Sequence, residues 1–284
     1  MSIEFKNVSF QYGANSPFSF DALKDVSVSF EPGKITAVIG STGSGKSTLV
    51  QHLNGLNKPT EGEVVILDHK LIANEKLKGL KALRSKVGLV FQFPEMQLFE
   101  ETVFKDVSFG PSNFGFTEEE SLKSVKQALP LVGIDESLWE RSPLDLSGGQ
   151  KRRVAIAGVI ASNPEVLVLD EPTAGLDPQG SEDMMALFLG LNQEHNKTII
   201  MVTHDMDHVL NYADNVVVMD KGSCIYQGPA KDFFSDKELL NSLGFVLPRI
   251  LQLKHLLEEK GYTLSESLDL DVLAQEIKRG PSHE

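Results

Sequence analysis

The string Gly40-Ser41-Thr42-Gly43-Ser44-Gly45-Lys46-Ser47, continued by Thr48, constrains this chain more than any other stretch. It satisfies every fixed position of the phosphate-loop pattern. A chance match is on the order of one per cent for average composition, and the flanks that such a loop requires make coincidence rarer still. Its glycines permit positive φ and a bare backbone, so successive amide N–H groups can converge on phosphate oxygens while the next helix adds its positive end. That geometry needs a buried strand before the loop and a helix after it. Residues 35–39 are a continuous apolar run and 46–54 read as helix, in the required order. Lys46 is expected to bridge the β- and γ-phosphates of ATP, and the Ser47 hydroxyl to ligate Mg²⁺.

A phosphate site also needs acids for the metal and the attacking water. The apolar run 166–169 ends in Asp170 and Glu171, and consecutive residues at a strand end can point in different directions. Asp170 fits the metal side and Glu171 the base that polarises water. Pro172 biases Glu171 away from the α region. In isolation the same pair would read as two solvated acids closing a strand.

Around these elements the pattern is α/β. Short alternating runs over 3–38 read as antiparallel strands, and the apolar runs 166–169, 198–202 and 216–219, separated by helical segments, read as parallel strands buried on both faces. Thr117 and Glu120 form a capping-box pattern ahead of a helix reaching 131, with Leu122, Val125 and Leu129 expected on one face. After about 228 the chain becomes polar-faced helix, including one near 248–260 that is expected to turn Ile250, Leu253, Leu256 and Leu257 to one side. The 284 residues are ample for one large domain and a small appendage. No apolar tract approaches the roughly 20 residues of a membrane span. The start lacks a secretory pattern, which predicts cytosolic retention, and the lone Cys224 reads as an inert packed thiol. With 27 basic against 40 acidic residues, the net charge of −13 opposes nucleic acid as a partner.

Leu146-Ser147-Gly148-Gly149-Gln150 admits two readings. Ser147 and Gln150 form an ordinary capping box, and two glycines at a helix start also expose amides to phosphate. The string resembles the signature of ABC-type ATPases, and the resemblance runs from residue 1 to about 228 with motifs in the family's order. It implies a phosphate-loop NTPase with a RecA-like core sheet, an antiparallel β subdomain and a helical signature subdomain over about 95–160, followed by a helical extension over 229–284. By the same resemblance Tyr12 stacks on adenine, and Gln92 senses the γ-phosphate and metal. Asp177 communicates across a dimer, and His204 contacts the γ-phosphate. Taken singly, Tyr12 would be packing, Asp177-Pro178 a helix cap and His204 a surface histidine. The resemblance assigns catalysis to Glu171, His204 and Gln92, and the metal to Ser47, Asp170 and Gln92. It places Ser147, Gly148, Gly149 and Gln150 against the nucleotide of a second subunit, with ATP sandwiched head to tail.

Within that family, the segment 13–18 before Ala22-Leu23-Lys24-Asp25-Val26 and the string Gln51-His52-Leu53-Asn54-Gly55-Leu56 resemble energy-coupling-factor transporter ATPases, the second of two paralogues. So do Phe91-Gln92-Phe93-Pro94-Glu95-Met96-Gln97-Leu98-Phe99 and Phe109-Gly110-Pro111. This implies a peripheral subunit at the cytoplasmic membrane face, joined to a non-identical ATPase, a transmembrane coupling protein contacted near 92–99 and a substrate-capturing membrane protein for vitamins or transition-metal ions. Glu95 and Gln97 would then meet basic residues of the coupling protein; the plain reading makes them a solvated turn. The alternatives are the ATPase of a conventional importer and a non-transport ABC ATPase. Against a chromosome-type member, only about 100 residues separate Lys46 from Ser147, with no sustained heptads.

Overall fold

The computed structural model describes residues 2–13, 17–265, 267–268 and 270–281; part of the polar segment 13–18 therefore lies outside the described residues. Strands β1 (Ser2–Tyr12) and β2 (Phe20–Phe30) pair antiparallel as their alternation predicts. The chain then enters β3 (Ile35–Ile39), every residue of which is buried, and the glycine loop delivers it to α1 (Lys46–His52). Strands β4 (Glu61–Leu67) and β5 (His69–Ile72) return to β1 and complete a four-stranded sheet in the order β2-β1-β4-β5.

Helix α2 (Leu80–Lys86) leads into β6 (Val87–Val90). A helical lobe follows, made of α3 (Val103–Phe114), α4 (Glu118–Leu131) and α5 (Gly148–Ile160). The chain re-enters the core through β7 (Val166–Asp170), α6 (Pro178–His195), β8 (Thr198–Val202), α7 (Met206–Tyr212), β9 (Asn215–Asp220) and β10 (Ser223–Pro229). These strands form a six-stranded sheet in the order β10-β9-β3-β8-β7-β6, parallel except for β10. Burial of every residue in β3, β6, β7 and β8 is what helices and a second layer on both faces of a parallel sheet impose. The loops after β3, β7 and β8 leave the same carboxyl edge, where open α/β sheets bind ligands. Helices α8 (Ala230–Ser235), α9 (Lys237–Leu243), α10 (Arg249–Glu259) and α11 (Leu270–Arg279) close the chain.

Among the described residues three apolar clusters hold these layers. Leu49 and Val50 of α1 and Leu53 just after it pack with Phe5 and Leu23 of the antiparallel sheet and with Val38 and Val168 of the parallel one. The lobe packs through Val107, Val125, Leu129 and Ala157 against Leu167 and Phe188. Phe233 and Phe234 of α8 pack with Ile39, Val216 and Val218, so the C-terminal segment begins inside the core. The α4 capping box forms as expected, but the buried stripe is Ser121, Val125, Ala128 and Leu129, and Leu122 faces out. Leu122 lies at the edge of the face, where the facing lobe helices no longer cover it. The tail differs in the same sense: Leu253 and Leu256 are exposed, whereas Lys254 is buried because its ammonium donates to the carbonyls of Ser265 and Ser267.

One buried group predicts a pH dependence. His52, at the end of α1, is fully buried between the rings of Phe5 and Phe10, with Nδ1 2.7 Å from the Thr48 carbonyl. Burial pushes its pKa down from 6.5 to about 4, and the Thr48 carbonyl offsets only part of this. Below pH 6.5 the unfolded chain takes up a proton that the native state refuses. Stability is therefore fully present above pH 6.5 and falls on acidification, by on the order of 3 kcal/mol at pH 4. Urea midpoints measured against pH should show this slope in the wild type and a shallower one in His52→Phe; equal slopes would exclude His52 as its source.

Candidate active site

The phosphate loop adopts the backbone that its glycines were expected to allow. Gly40, Gly43 and Gly45 have φ of 147°, 80° and 101°. A Cβ on Gly45 would lie 2.6 Å from the Ala22 carbonyl, and one on Gly40 would collide with the Met219 carbonyl. The loop is thus pinned between β2 and β9. At Gly43 a Cβ would meet nothing within 4 Å, so this part of the loop opens to a ligand. Ser44 Oγ is buried without a hydrogen-bond partner, an orphan that a phosphate oxygen would satisfy.

Lys46 Nζ donates to the carbonyls of Gly40 and Ser41, both at 2.9 Å, which holds the ammonium over the loop. Burial lowers its pKa, against the opposing pull of the Glu171 and Asp170 charges. Ser47 Oγ donates to Asp170 Oδ1 at 3.2 Å, across 123 residues of sequence. Burial raises the Asp170 pKa; the Ser47 hydrogen bond works the other way. A hydroxyl and a carboxylate side by side are hard oxygen ligands, too few to cage an ion alone. Among the described residues no cluster of three or more acidic, histidine or cysteine side chains could hold a metal by itself. The pair suits a magnesium ion whose other ligands are phosphate oxygens and water.

Glu171 stands where β7 ends. Its N–H donates to the Val202 carbonyl at 3.0 Å, and its φ is 50°. The residue before Pro172 therefore avoids the right-handed α region by entering the left-handed one, a costly conformation for a residue with a Cβ and one concentrated at functional sites. Gln92 Nε2 donates to Glu171 Oε2 at 3.1 Å, and His204 Nδ1 lies 3.6 Å from Oε1. One carboxylate thus gathers the loops after β6, β7 and β8. The His204 side chain is 75% exposed, against 25% for Glu171, so the histidine covers the open side of the cluster.

Tyr12 is anchored beside this loop: its hydroxyl lies 3.2 Å from Thr48 Oγ1 and accepts from Asn57 Nδ2 at 3.3 Å, leaving the ring partly exposed. The signature lies elsewhere. Ser147 N–H donates to Gln150 Oε1 at 3.0 Å and Ser147 Oγ accepts from Gln150 N–H at 3.3 Å, so the capping box is formed. A Cβ on Gly148 or Gly149 would meet nothing within 4 Å, and the start of α5 is open surface. Asp177 caps α6 by accepting from Gly180 N–H at 2.7 Å.

Glu95 is not a free surface acid: both its oxygens accept from Arg152 of this chain, at 3.1 and 3.2 Å, because a guanidinium only 4% exposed requires a carboxylate. Gln97 stays exposed as expected from the sequence, but beside it the segment turns apolar side chains outward, with Met96 84% and Phe99 63% exposed and Phe99 edge-on to Phe109 at 4.9 Å. Cys224 is half-buried with its thiol pKa raised by burial, the state of an unreactive cysteine. In the sequence Arg152 is marked by nothing beyond the run Lys151-Arg152-Arg153 that directly follows Gln150.

A family model described as ABC transporter matches residues 23–174. The energy-coupling factor transporter ATP-binding protein EcfA2 of Lactiplantibacillus plantarum is 53% identical over 98% of this chain and 94% of its own length. The protein of that name in Enterococcus faecalis is 50% identical over 98% of this chain and 96% of its own. Among solved structures, cbiO1 of Clostridium perfringens, part of the ABC transporter complex cbiONQ, superposes with a TM-score of 0.73 at 40% identity, covering 90% of this chain and 98% of that one. A dimeric ATP-binding cassette in a post-hydrolysis state with ADP and Pi gives 0.71 at 32% identity, over 80% of this chain and 98% of its own.

Proposed function

Because this chain belongs to the ABC transporter ATPase family, we propose that it is the ATP-binding and ATP-hydrolysing subunit of an energy-coupling factor transporter, powering uptake of vitamins or transition-metal ions. The observation that carries the reading is the Glu171 cluster, in which one base is held by Gln92 and faced by His204 beside a complete phosphate loop. In this arrangement Glu171 accepts the proton of the attacking water, and Gln92 fixes the carboxylate that does so. Lys46 and the loop amides hold the phosphates, Tyr12 stacks on adenine, and His204 faces the γ-phosphate. Magnesium, held by Ser47, Asp170 and the Gln92 side-chain oxygen, would supply charge neutralisation at the phosphates.

The open start of α5 supports the second half of the proposal: Ser147, Gly148, Gly149 and Gln150 complete the site of another subunit, a similar but non-identical ATPase, and Asp177 lies on the shared boundary. The nucleotide-binding domain spans 1–228, with its helical subdomain at about 95–160, and 229–284 form the extension. Among the described residues no helix is long and apolar enough to cross a membrane. Attachment to the cytoplasmic face then falls to the exposed Met96, Phe99 and Phe109, which suit an apolar helix of a transmembrane coupling protein, itself joined to a substrate-capturing protein. Affinity purification from native membranes is expected to recover a coupling protein, a capture protein and a second ATPase. Phe99→Asp should weaken that recovery about tenfold or more while soluble ATP binding persists. Recovery of ribosomal or chromosomal proteins would contradict the proposal.

A further inference from the structure

Arg152 joins three loops that the site uses separately. It lies in the second turn of α5, which begins with the signature. Its Nε and Nη2 donate to both oxygens of Glu95, in the turn after Gln92, and its Nη1 donates to the Ala174 carbonyl at 2.6 Å. Ala174 closes the turn that starts at the base, its N–H donating to the Glu171 carbonyl at 3.1 Å, and three residues on stands Asp177. The guanidinium carbon also sits 5.8 Å from the centre of the Phe93 ring, next to Gln92. A planar fork with five donors can serve a carboxylate and a carbonyl together, which a lysine ammonium on a different stem cannot reproduce.

We propose that Arg152 is a positioning residue that locks the signature helix to this subunit's own Gln92–Glu171 pair, so that occupancy of its own phosphate loop sets how it presents Ser147–Gly149 to the neighbouring nucleotide. The proposal rests on the reading above that the signature serves a second subunit. Through Glu95 the clamp follows the Gln92 loop, and through Ala174 it follows the Glu171 turn; a shift in either is delivered to α5 through one buried side chain. Packed, fully hydrogen-bonded charge networks transmit such shifts because half-satisfied arrangements are costly. Three of its donors are engaged within the clamp, on both oxygens of Glu95 and on the Ala174 carbonyl.

The test compares full-length wild type with Arg152→Lys and Glu95→Gln, the second keeping the shape of the acid should the first fold poorly. Nucleotide titration gives ATP affinity, steady-state assay of each variant assembled with the second ATPase gives kcat, and amide exchange follows residues 148–155 of the separate chain with and without ATP and magnesium at dilutions below dimer formation. Both variants are expected to bind ATP within about twofold of wild type and to turn over about tenfold more slowly. Both should also lose the ATP-dependent change in exchange at 148–155 that wild type shows. A structural role alone would lower the melting temperature and leave kcat per folded molecule and the exchange response intact, which would overturn the proposal. Loss of ATP affinity in step with kcat would overturn it too, as would a wild type whose exchange at 148–155 ignores ATP. Failure of the head-to-tail reading registers separately, in dimer trapping by a Glu171 variant, and does not alter the single-subunit exchange.

Discussion

Glu171→Gln is expected to leave ATP binding intact, to lower hydrolysis by about 10²–10⁴-fold, the usual contribution of a positioned general base, and to hold two subunits together around the unspent nucleotide. The amide is isosteric with the carboxylate and can still accept the Gln92 hydrogen bond, so the geometry around it should persist. The backbone position, with φ of 50°, is also unchanged by the substitution. What is lost is the capacity to take a proton. Gel filtration together with the second ATPase, in ATP and magnesium, should then show a stable dimer, with ATP rather than ADP recovered from it. Retained turnover would remove Glu171 from its role, and a monomer with bound ATP would deny the sandwich.

Ser147→Arg should be nearly as damaging by a different route. The side chain is exposed and its structural duty is the helix cap, whose loss costs about 1 kcal/mol and spares the fold. A long cation at the start of α5 nonetheless occupies the space in which the neighbouring subunit's phosphates should approach. Turnover at the neighbouring subunit's phosphate loop is expected to fall on the order of 10²-fold, the scale of losing one preorganised donor set. Equilibrium titration should find ATP affinity at the Lys46 loop unaltered. Reduced affinity there would place Ser147 in its own subunit's site.

These expectations were legible in the sequence to the extent that the patterns are local. The glycine loop, the strand that ends at Asp170 and Glu171, and the capping boxes at Thr117 and Ser147 each state their geometry within a few residues, and each formed as read. The rest depends on what packs opposite. Spacing put Leu122 with Val125, but only the neighbouring helices decide where coverage stops. Lys254 lies buried in the helix where Leu253 and Leu256 face out, because two carbonyls beyond residue 260 reach its ammonium. Glu95 and Arg152 are 57 residues apart, and nothing in either neighbourhood singles out Arg152 rather than Arg153 for the interior. The left-handed backbone of Glu171 also needed the structure, since a following proline disfavours the right-handed helix without choosing among the alternatives.

In the complex purified with the second ATPase, single-turnover hydrolysis with one phosphate loop silenced at a time separates the half of an ATP site that this chain holds from the half that it supplies. With the second ATPase's loop lysine replaced, Ser147→Arg should leave turnover at the Lys46 loop in place. With Lys46→Ala silencing this chain's own loop, Ser147→Arg should extinguish the turnover that remains. The opposite pattern, loss at the Lys46 loop and survival at the other, would contradict the account.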